Sequence, residues 1–157
     1  KRHEIGSSTW CSGIIACDSE GHVMHGRNLD FVFDYKSGRA KRHLYHLAAN
    51  YTYYRGGAPV FTTPSWAGYV GLQTVLKLNG HHPWSFQQNS HPDNSKRLNL
   101  LAQQSGAVPF GFYMRRLVEQ DVDFRTASYM IASTRFSAPN FFMMAGSAPW
   151  EGASMEI

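Results

Sequence analysis

The sequence has 157 residues, of which 43% are hydrophobic and 14% aromatic. This composition predicts one globular domain with a substantial core and excludes a disordered chain. The formal charge is +4 with neutral histidines, and no apolar run reaches the roughly 20 residues that a membrane-spanning helix needs.

Strand patterns come first along the chain. Strands are predicted at 12–17, 22–27, 43–55, 58–63 and 68–78, each bounded by turn-forming residues. The first two are joined by the turn "DSEG" at 18–21 and form a hairpin. Residues 79–95 are predicted to be mainly loop, with a short strand near "WSFQQ".

Helical patterns follow in the carboxy-terminal part. A helix is predicted over 108–120 with Pro109 near its first turn, and a second over 124–133 with Asp123 as its cap. A last hairpin is predicted from the segments 140–147 and 152–157. Strands, then two helices, then strands predict an α+β layered fold.

The two cysteines, Cys11 and Cys17, flank the first predicted strand. On a regular strand their sulfurs lie on one face, roughly 20 Å apart. They therefore cannot form a disulfide within that strand, and Cys17 is predicted to be buried. The chain has no disulfide framework.

The hairpin brings distant residues to Cys11. A turn centred between positions 19 and 20 predicts that Cys11 lies opposite Asn28, flanked by Arg27 and Asp30. Arg27 and Asp30 differ by an odd number of positions, so a regular strand points them to opposite faces. Both reach Cys11 only if the strand ends or bulges near 26–28.

A thiol beside a guanidinium has a chemical use. Positive charge favours the thiolate form, and the Asp30 carboxylate is able to orient a nearby amine. The alternative interpretation is a core cysteine near a surface ion pair. The residues alone leave both interpretations open.

The hairpin also resembles a known family. It is similar to the start of the catalytic subunit of acid ceramidase and of N-acylethanolamine-hydrolysing acid amidase, which are amino-terminal-nucleophile hydrolases. The matching residues are Cys11, Ile14, Ala16, Asp18, Gly21, His22, His25, Gly26, Arg27, Asn28 and Asp30. The segments 66–72 and 138–157 are also similar, so the resemblance spans 11–157.

The resemblance implies a fold and a mechanism. The fold is the four-layer αββα arrangement, with only part of it in this chain. Cys11 is the implied nucleophile, forming a thioester with a fatty-acyl amide of the ceramide or N-acylethanolamine class. Self-cleavage between Trp10 and Cys11 is implied to free the amine that acts as base. Residues 1–10 are then a residual pro-segment, and 11–157 the amino-terminal part of the catalytic domain.

The resemblance also implies partners and a location. The site is completed by the rest of the catalytic domain and an amino-terminal subunit, and a membrane surface is a transient partner. No cofactor or metal is expected, and the location is the lysosome or the secretory pathway. Asn50 begins the N-glycosylation pattern Asn-Tyr-Thr and is its predicted acceptor.

The sequence departs from the family pattern in two places. The family's downstream Asn-Tyr-Asp segment has no counterpart up to Ile157. Where the family carries an Asn-Glu pair, this chain has Gln88-Asn89. The amide of Asn89 is the candidate oxyanion donor, and a turn asparagine is the alternative.

Two other functions remain open. The first is a catalytically silent structural or assembly member of the same fold. The second is a cationic lipid-binding module that uses the basic cluster at 36–43 and an acid-charged histidine surface. No stacking platform or nucleic-acid motif accompanies the basic cluster, so nucleic acid is not an expected partner.

Overall fold

A computed structural model describes residues 11–29, 34–37, 40–80 and 82–157. Ten strands are described among them: β1 Cys11–Cys17, β2 Val23–Leu29, β3 Asp34–Ser37, β4 Ala40–His43, β5 Ala48–Arg55, β6 Ala58–Trp66, β7 Thr74–Lys77, β8 Trp84–Ser90, β9 Asn140–Gly146 and β10 Gly152–Glu156. The described helices are a short 3₁₀ helix, Leu44–Leu47, and α1 Lys96–Gln104, α2 Phe110–Val118 and α3 Phe124–Ala132. None of these helices is long and apolar enough to cross a membrane.

Strands β5 to β10 form an antiparallel sheet of six, in the order β10-β9-β8-β7-β6-β5. Strand β8 shows how its two faces divide. Trp84 and Phe86 are buried on the helix side, where the indole of Trp84 donates to the Val122 carbonyl at 3.0 Å. Ser85 and Gln87 alternate with them and face the opposite side. Helices therefore cover one face of the sheet, and the opposite face carries the side chains of Ser85 and Gln87, which contact another element.

The hydrophobic core lies between the sheet and helices α2 and α3. Its buried side chains include Phe86, Met114, Ile131, Phe142 and Met144. Each fully buried side chain of this size contributes about 1.5–3 kcal/mol. The predicted α2 and α3 are confirmed, and Asp123 caps α3 by accepting from the Thr126 N–H at 2.8 Å.

The hairpin β1–β2 forms a separate two-stranded sheet on the other face of the six-stranded sheet. Its outer face is open, since Ile14 is 64% and Met24 65% exposed. At the hairpin turn, the N–H of Trp150 donates to the Gly21 carbonyl at 3.1 Å. Helices, sheet and hairpin thus form three layers.

Two strand predictions are wrong in part. The predicted strand 43–55 contains the 3₁₀ helix Leu44–Leu47, and β5 covers only Ala48–Arg55. The predicted strand 68–78 is a strand only over Thr74–Lys77. Its first part packs against the start of α2 instead, where Gly71 closely approaches Gly111 and the N–H of Leu72 donates to the Gly111 carbonyl at 3.1 Å.

Helix α1 was not predicted. Ser95 caps it by accepting from the Leu98 N–H at 3.5 Å, and none of its residues is buried. A serine before an apolar-periodic run was the available signal.

Candidate functional site

The register of the β1–β2 hairpin is one residue different from the prediction. Cys11 pairs with Leu29 rather than with Asn28, because the connecting loop covers five residues, 18–22. Within it the Asp18 N–H donates to the His22 carbonyl at 3.1 Å. The pairing is continuous from Cys11 to Cys17, so β2 neither ends nor bulges at 26–28, as it would have to for both Arg27 and Asp30 to reach Cys11.

The observed register places Cys11 and Arg27 on the same face. Gly13 pairs with Arg27, two residues along β1 from Cys11. No strand irregularity is needed to bring the guanidinium to the thiol. Cys11 is half-buried, whereas Cys17 is exposed, which corrects the prediction that Cys17 is a core residue. Both thiols are free.

Arg27 links the predicted nucleophile to the predicted oxyanion donor. Its Nη2 lies 3.9 Å from Cys11 Sγ, and its Nη1 donates to Asn89 Oδ1 at 3.2 Å. Nη1 also donates to the Gln88 carbonyl at 2.8 Å, which anchors the guanidinium to β8. Cys11, Arg27 and Asn89, three of the predicted site residues, are therefore brought together.

The environment of Arg27 is partly desolvated. Burial lowers the pKa of Arg27, and its interaction with Cys11 acts in the opposite direction. Arginine nevertheless stays charged at any physiological pH. Its Nε is buried and has no acceptor among the residues that the structure describes.

Hydrogen-bond donors fix the orientation of the Asn89 amide. Arg27 is only a donor, so it must face Asn89 Oδ1. Gln87 Nε2 donates to the same oxygen at 3.0 Å. The Asn89 Nδ2 therefore faces away from these two donors and donates to no described residue.

Gln87 in turn fixes the orientation of His25. Since Gln87 Nε2 faces Asn89, its Oε1 faces His25 Nε2 at 3.1 Å, and that nitrogen carries a proton. His25 Nδ1 lies 2.8 Å from Ser85 Oγ. Burial lowers the pKa of His25, with a smaller lowering from Arg27, while the Gln87 hydrogen bond raises it.

Gly13 is a site residue that the sequence analysis missed. A Cβ at this position would lie 2.6 Å from Met143 Sδ and would overlap the Gln87 carboxamide. Glycine therefore lets β1 approach the sheet closely enough for Gln87 Nε2 to reach the Ser12 carbonyl at 3.5 Å. A glycine inside a strand was the available signal. No sequence pattern of this kind marked Gln87 and Ser85, which contact His25.

Two cavities open beside the hairpin. One of about 480 Å³ has a mainly apolar lining that also includes the polar side chains of Arg27, His25 and Gln87. The other, of about 440 Å³, is lined mostly by apolar side chains, including Leu29 and Trp66. Both volumes fall in the range of small-molecule sites.

The remaining predicted site residues are placed as follows. Trp10 and Asp30 lie outside the described residues. Asn50 is on β5 and lines both cavities. Within the described ranges, no three side chains of the metal-ligating types form a cluster.

Comparison with solved structures identifies the class of fold. The structure of a Caenorhabditis elegans N-acylethanolamine-hydrolyzing acid amidase ortholog matches 94% of this chain and 58% of its own. The TM-score is 0.71 at 22% sequence identity. The chain therefore has part of the amino-terminal-nucleophile hydrolase fold, which confirms the predicted fold class.

Comparison with curated proteins agrees with the resemblance. The chain is 32% identical over 147 residues to N-acylethanolamine-hydrolyzing acid amidase of Rattus norvegicus, covering 93% of this chain and 38% of that protein. It is 30% identical over 156 residues to acid ceramidase of Homo sapiens, covering 92% and 38%. The predicted resemblance is confirmed, and the chain spans about two fifths of the length of these relatives. No protein-family model matches the chain.

Proposed function

We propose that the complete protein is an amidase that hydrolyses a fatty-acyl amide of the ceramide or N-acylethanolamine class. The observation that carries this proposal is the placement of Arg27 between Cys11 Sγ and Asn89 Oδ1. The similarity to two kinds of acid lipid amidase over nearly the whole chain supports the substrate class.

The reaction follows from the groups at the site. The Cys11 thiolate attacks the amide carbonyl, and the Asn89 Nδ2 donates to the oxyanion that forms. The intermediate collapses when the C–N bond breaks, and the departing amine takes the proton that the thiol lost. Water then attacks the thioester, which releases the fatty acid and returns the proton to Cys11.

The base in this scheme is the α-amino group of Cys11 itself. Self-cleavage between Trp10 and Cys11 would free that amine, and Asp30 would orient it. In the uncut chain the same nitrogen is an amide and has no useful basicity. The uncut chain should therefore be inactive.

We also propose the partners and the cellular location of the protein. The rest of the catalytic domain and an amino-terminal subunit would complete the site, and a membrane would present the lipid substrate. The word "acid" in the names of both relatives supports a lysosomal or secretory location. Eight histidines would add positive charge to the surface in such a compartment.

One experiment tests cleavage and hydrolysis together. The complete protein is incubated in acid with a panel of fatty-acyl amides, and intact mass and released fatty acid are followed in the same tube. We expect release to rise in step with the loss of residues 1–10, and to be absent from the Cys11→Ala variant. Full turnover by protein that still carries Trp10 would rule out the free-amine mechanism.

A catalytically silent member of the fold is the second candidate. The observation in its favour is that Gln88, where the family has a catalytic pair, is turned away from the site. Its Nε2 donates to Asn140 Oδ1 at 2.8 Å on the buried side of β8. Protein that stays uncut in acid, with its continuation and partner subunit present, would support this candidate over the amidase.

A cationic lipid-binding module remains a prediction. The side chains of the basic cluster at 36–43 lie outside what the structure describes. Sedimentation with anionic vesicles measures this activity separately from hydrolysis.

A further inference from the structure

Gln87 is a fully buried polar side chain, with an exposed fraction of 0%, next to residues of the proposed active site. Burying a carboxamide costs free energy unless its polar atoms are hydrogen-bonded. Both ends of this carboxamide have partners. Its Nε2 faces Asn89 Oδ1 at 3.0 Å and the Ser12 carbonyl at 3.5 Å, and its Oε1 faces His25 Nε2 at 3.1 Å. A hydrophobic side chain of the same size would fill the space equally well, so the hydrogen bonds distinguish glutamine here.

The orientation of the Gln87 carboxamide is fixed by its surroundings. The Ser12 carbonyl oxygen only accepts, and Asn89 Oδ1 already accepts from Arg27 Nη1 at 3.2 Å. Both acceptors lie on the Nε2 side, so an amide turned by 180° would place its oxygen against two other oxygens. Gln87 therefore presents an N–H to Asn89.

Donors on two different strands hold Asn89 Oδ1. Arg27 approaches it from β2, whereas Gln87 lies two residues before it on β8. One donor leaves an amide able to rotate about that contact, whereas two donors in different directions fix its plane. The Gln87 contact is the shorter one, and Arg27 Nη1 also serves the Gln88 carbonyl at 2.8 Å. The direction of Asn89 Nδ2 therefore depends on Gln87 as well as on Arg27.

We propose that Gln87 is a positioning residue for the reaction at Cys11, because its donation to Asn89 Oδ1 directs Asn89 Nδ2 toward the oxyanion. This inference rests on the proposed amidase function, in which Asn89 stabilises that oxyanion. Gln87 acts through Asn89 and contacts neither the substrate nor the thiol. Its loss should slow the step that forms the oxyanion and leave the reactivity of the thiol unchanged.

Two substitutions in the complete, cleaved protein separate the hydrogen bond from the packing. Gln87→Met keeps a side chain of similar length and removes both hydrogen-bonding groups. Gln87→Glu keeps the acceptor for His25, but its carboxylate has no hydrogen for Asn89 Oδ1. Thr63→Val is the matched control, because Thr63 is 1% exposed and its hydroxyl donates to the Thr74 carbonyl at 2.6 Å, between β6 and β7. The control therefore also removes one buried hydrogen bond, but none that Asn89 accepts.

The first measurement is acylation of Cys11 by a short-chain p-nitrophenyl ester, with the modified residue identified by peptide mass. The ester forms the same kind of tetrahedral oxyanion but requires no amide cleavage. We expect acylation of Gln87→Met to be roughly 3- to 10-fold slower than that of the parent, the usual effect of one hydrogen bond. Gln87→Glu should lose at least as much at neutral pH. Thr63→Val should acylate within twofold of the parent, even where its melting temperature falls.

Two further measurements respond to positioning but not to a general loss of structure. Iodoacetamide alkylates a thiolate by displacement and forms no oxyanion, so Cys11 in Gln87→Met should be alkylated within twofold of the parent rate. In Gln87→Glu the carboxyl regains a hydrogen at acid pH, and its O–H is then able to donate to Asn89 Oδ1. The ratio of the Gln87→Glu rate to the parent rate should therefore rise as the pH falls. His25, which titrates opposite this side chain on β2, is present in both proteins.

The assignment of Gln87 is overturned by parent-like acylation in both variants or by an equal loss in Thr63→Val. An equal loss of alkylation would also overturn it, because the thiol itself would then be displaced, and so would an absence of ester acylation at Cys11 in the parent. Hydrolysis of fatty-acyl amides is measured separately. A parent that accepts the ester but no fatty-acyl amide refutes the amidase proposal, and slower ester acylation in Gln87→Met then keeps the assignment of Gln87.

Discussion

Replacing Arg27 by lysine keeps the positive charge but removes the planar guanidinium. In the structure that group holds three atoms at once, namely Cys11 Sγ, the Gln88 carbonyl oxygen and Asn89 Oδ1. A lysine ammonium is a compact donor on a flexible stem and cannot span these positions together. We expect Arg27→Lys to form the thioester much more slowly than the parent protein.

The size of the effect follows from the contacts that are lost. A hydrogen bond to a charged group contributes about 1.5–3 kcal/mol. Nη1 alone donates to both the Gln88 carbonyl and Asn89 Oδ1, so a lysine nitrogen at that position is able to keep both, and the contact that is lost is the one from Nη2 to Cys11 Sγ. Loss of one such contact corresponds to a roughly 10- to 150-fold lower acylation rate.

The assay is single-turnover acylation of Cys11, followed by the mass of the thioester in the cleaved protein. Arg55→Lys is the matched control, because Arg55 is 66% exposed and pairs with Glu119 at the surface. Exposed pairs contribute about 0–1 kcal/mol to stability, so this control should acylate within twofold of the parent. An Arg27→Lys rate that equals the parent rate would refute the positioning role and leave only a charge effect.

Three further predictions concern the hairpin. Cys11→Ala should abolish both self-cleavage and thioester formation, and cleavage in this variant would contradict the assignment of Cys11 as the nucleophile. Cys17→Ala, at an exposed position, should keep both activities and change stability by less than about 0.5 kcal/mol. Gly13→Ala should lower the free energy of unfolding by about 0.5–2 kcal/mol, because the added methyl group overpacks against Gln87 and Met143 by more than alanine gains over glycine in a strand. Thermal unfolding measures this change, and Ser12→Ala is the control that should leave stability unchanged. Burial lowers the pKa of His25, so its neutral form is favoured in the folded state and stability should fall as the pH drops from about 6.5 through the folded pKa. The melting temperature of His25→Gln, measured from pH 7.5 to 4.5, should lack this part of the slope, and an identical slope would contradict the prediction.

The predictable parts of the fold were those with a strong local signal. Asp123 and Pro109 marked the starts of two helices, and alternating residues marked the strands of the two hairpins. The segment 68–78 has equally apolar residues, but its structure is decided by the close approach of Gly71 to Gly111, a contact that no local pattern encodes. Tertiary contacts of this kind are the usual reason that a strand prediction fails.

The site was predictable in composition but not in geometry. Cys11, Arg27 and Asn89 were chosen from the sequence, and the structure brings them together. The register was wrong by one residue, because loop length depends on hydrogen bonds within 18–22 rather than on composition. Gln87 was missed because it acts only through its neighbours, which become neighbours only after the sheet has formed.

The bond between the Trp150 N–H and the Gly21 carbonyl joins points near opposite ends of the described chain. It ties the turn of the β1–β2 hairpin to the connection between β9 and β10. During synthesis β1 and β2 therefore emerge long before the surface on which they dock exists. Contacts between such distant positions form late, because the intervening chain must first be ordered. We infer that the hairpin docks only after the connection between β9 and β10 has been synthesised, so Cys11 reaches its neighbours on the sheet late in folding.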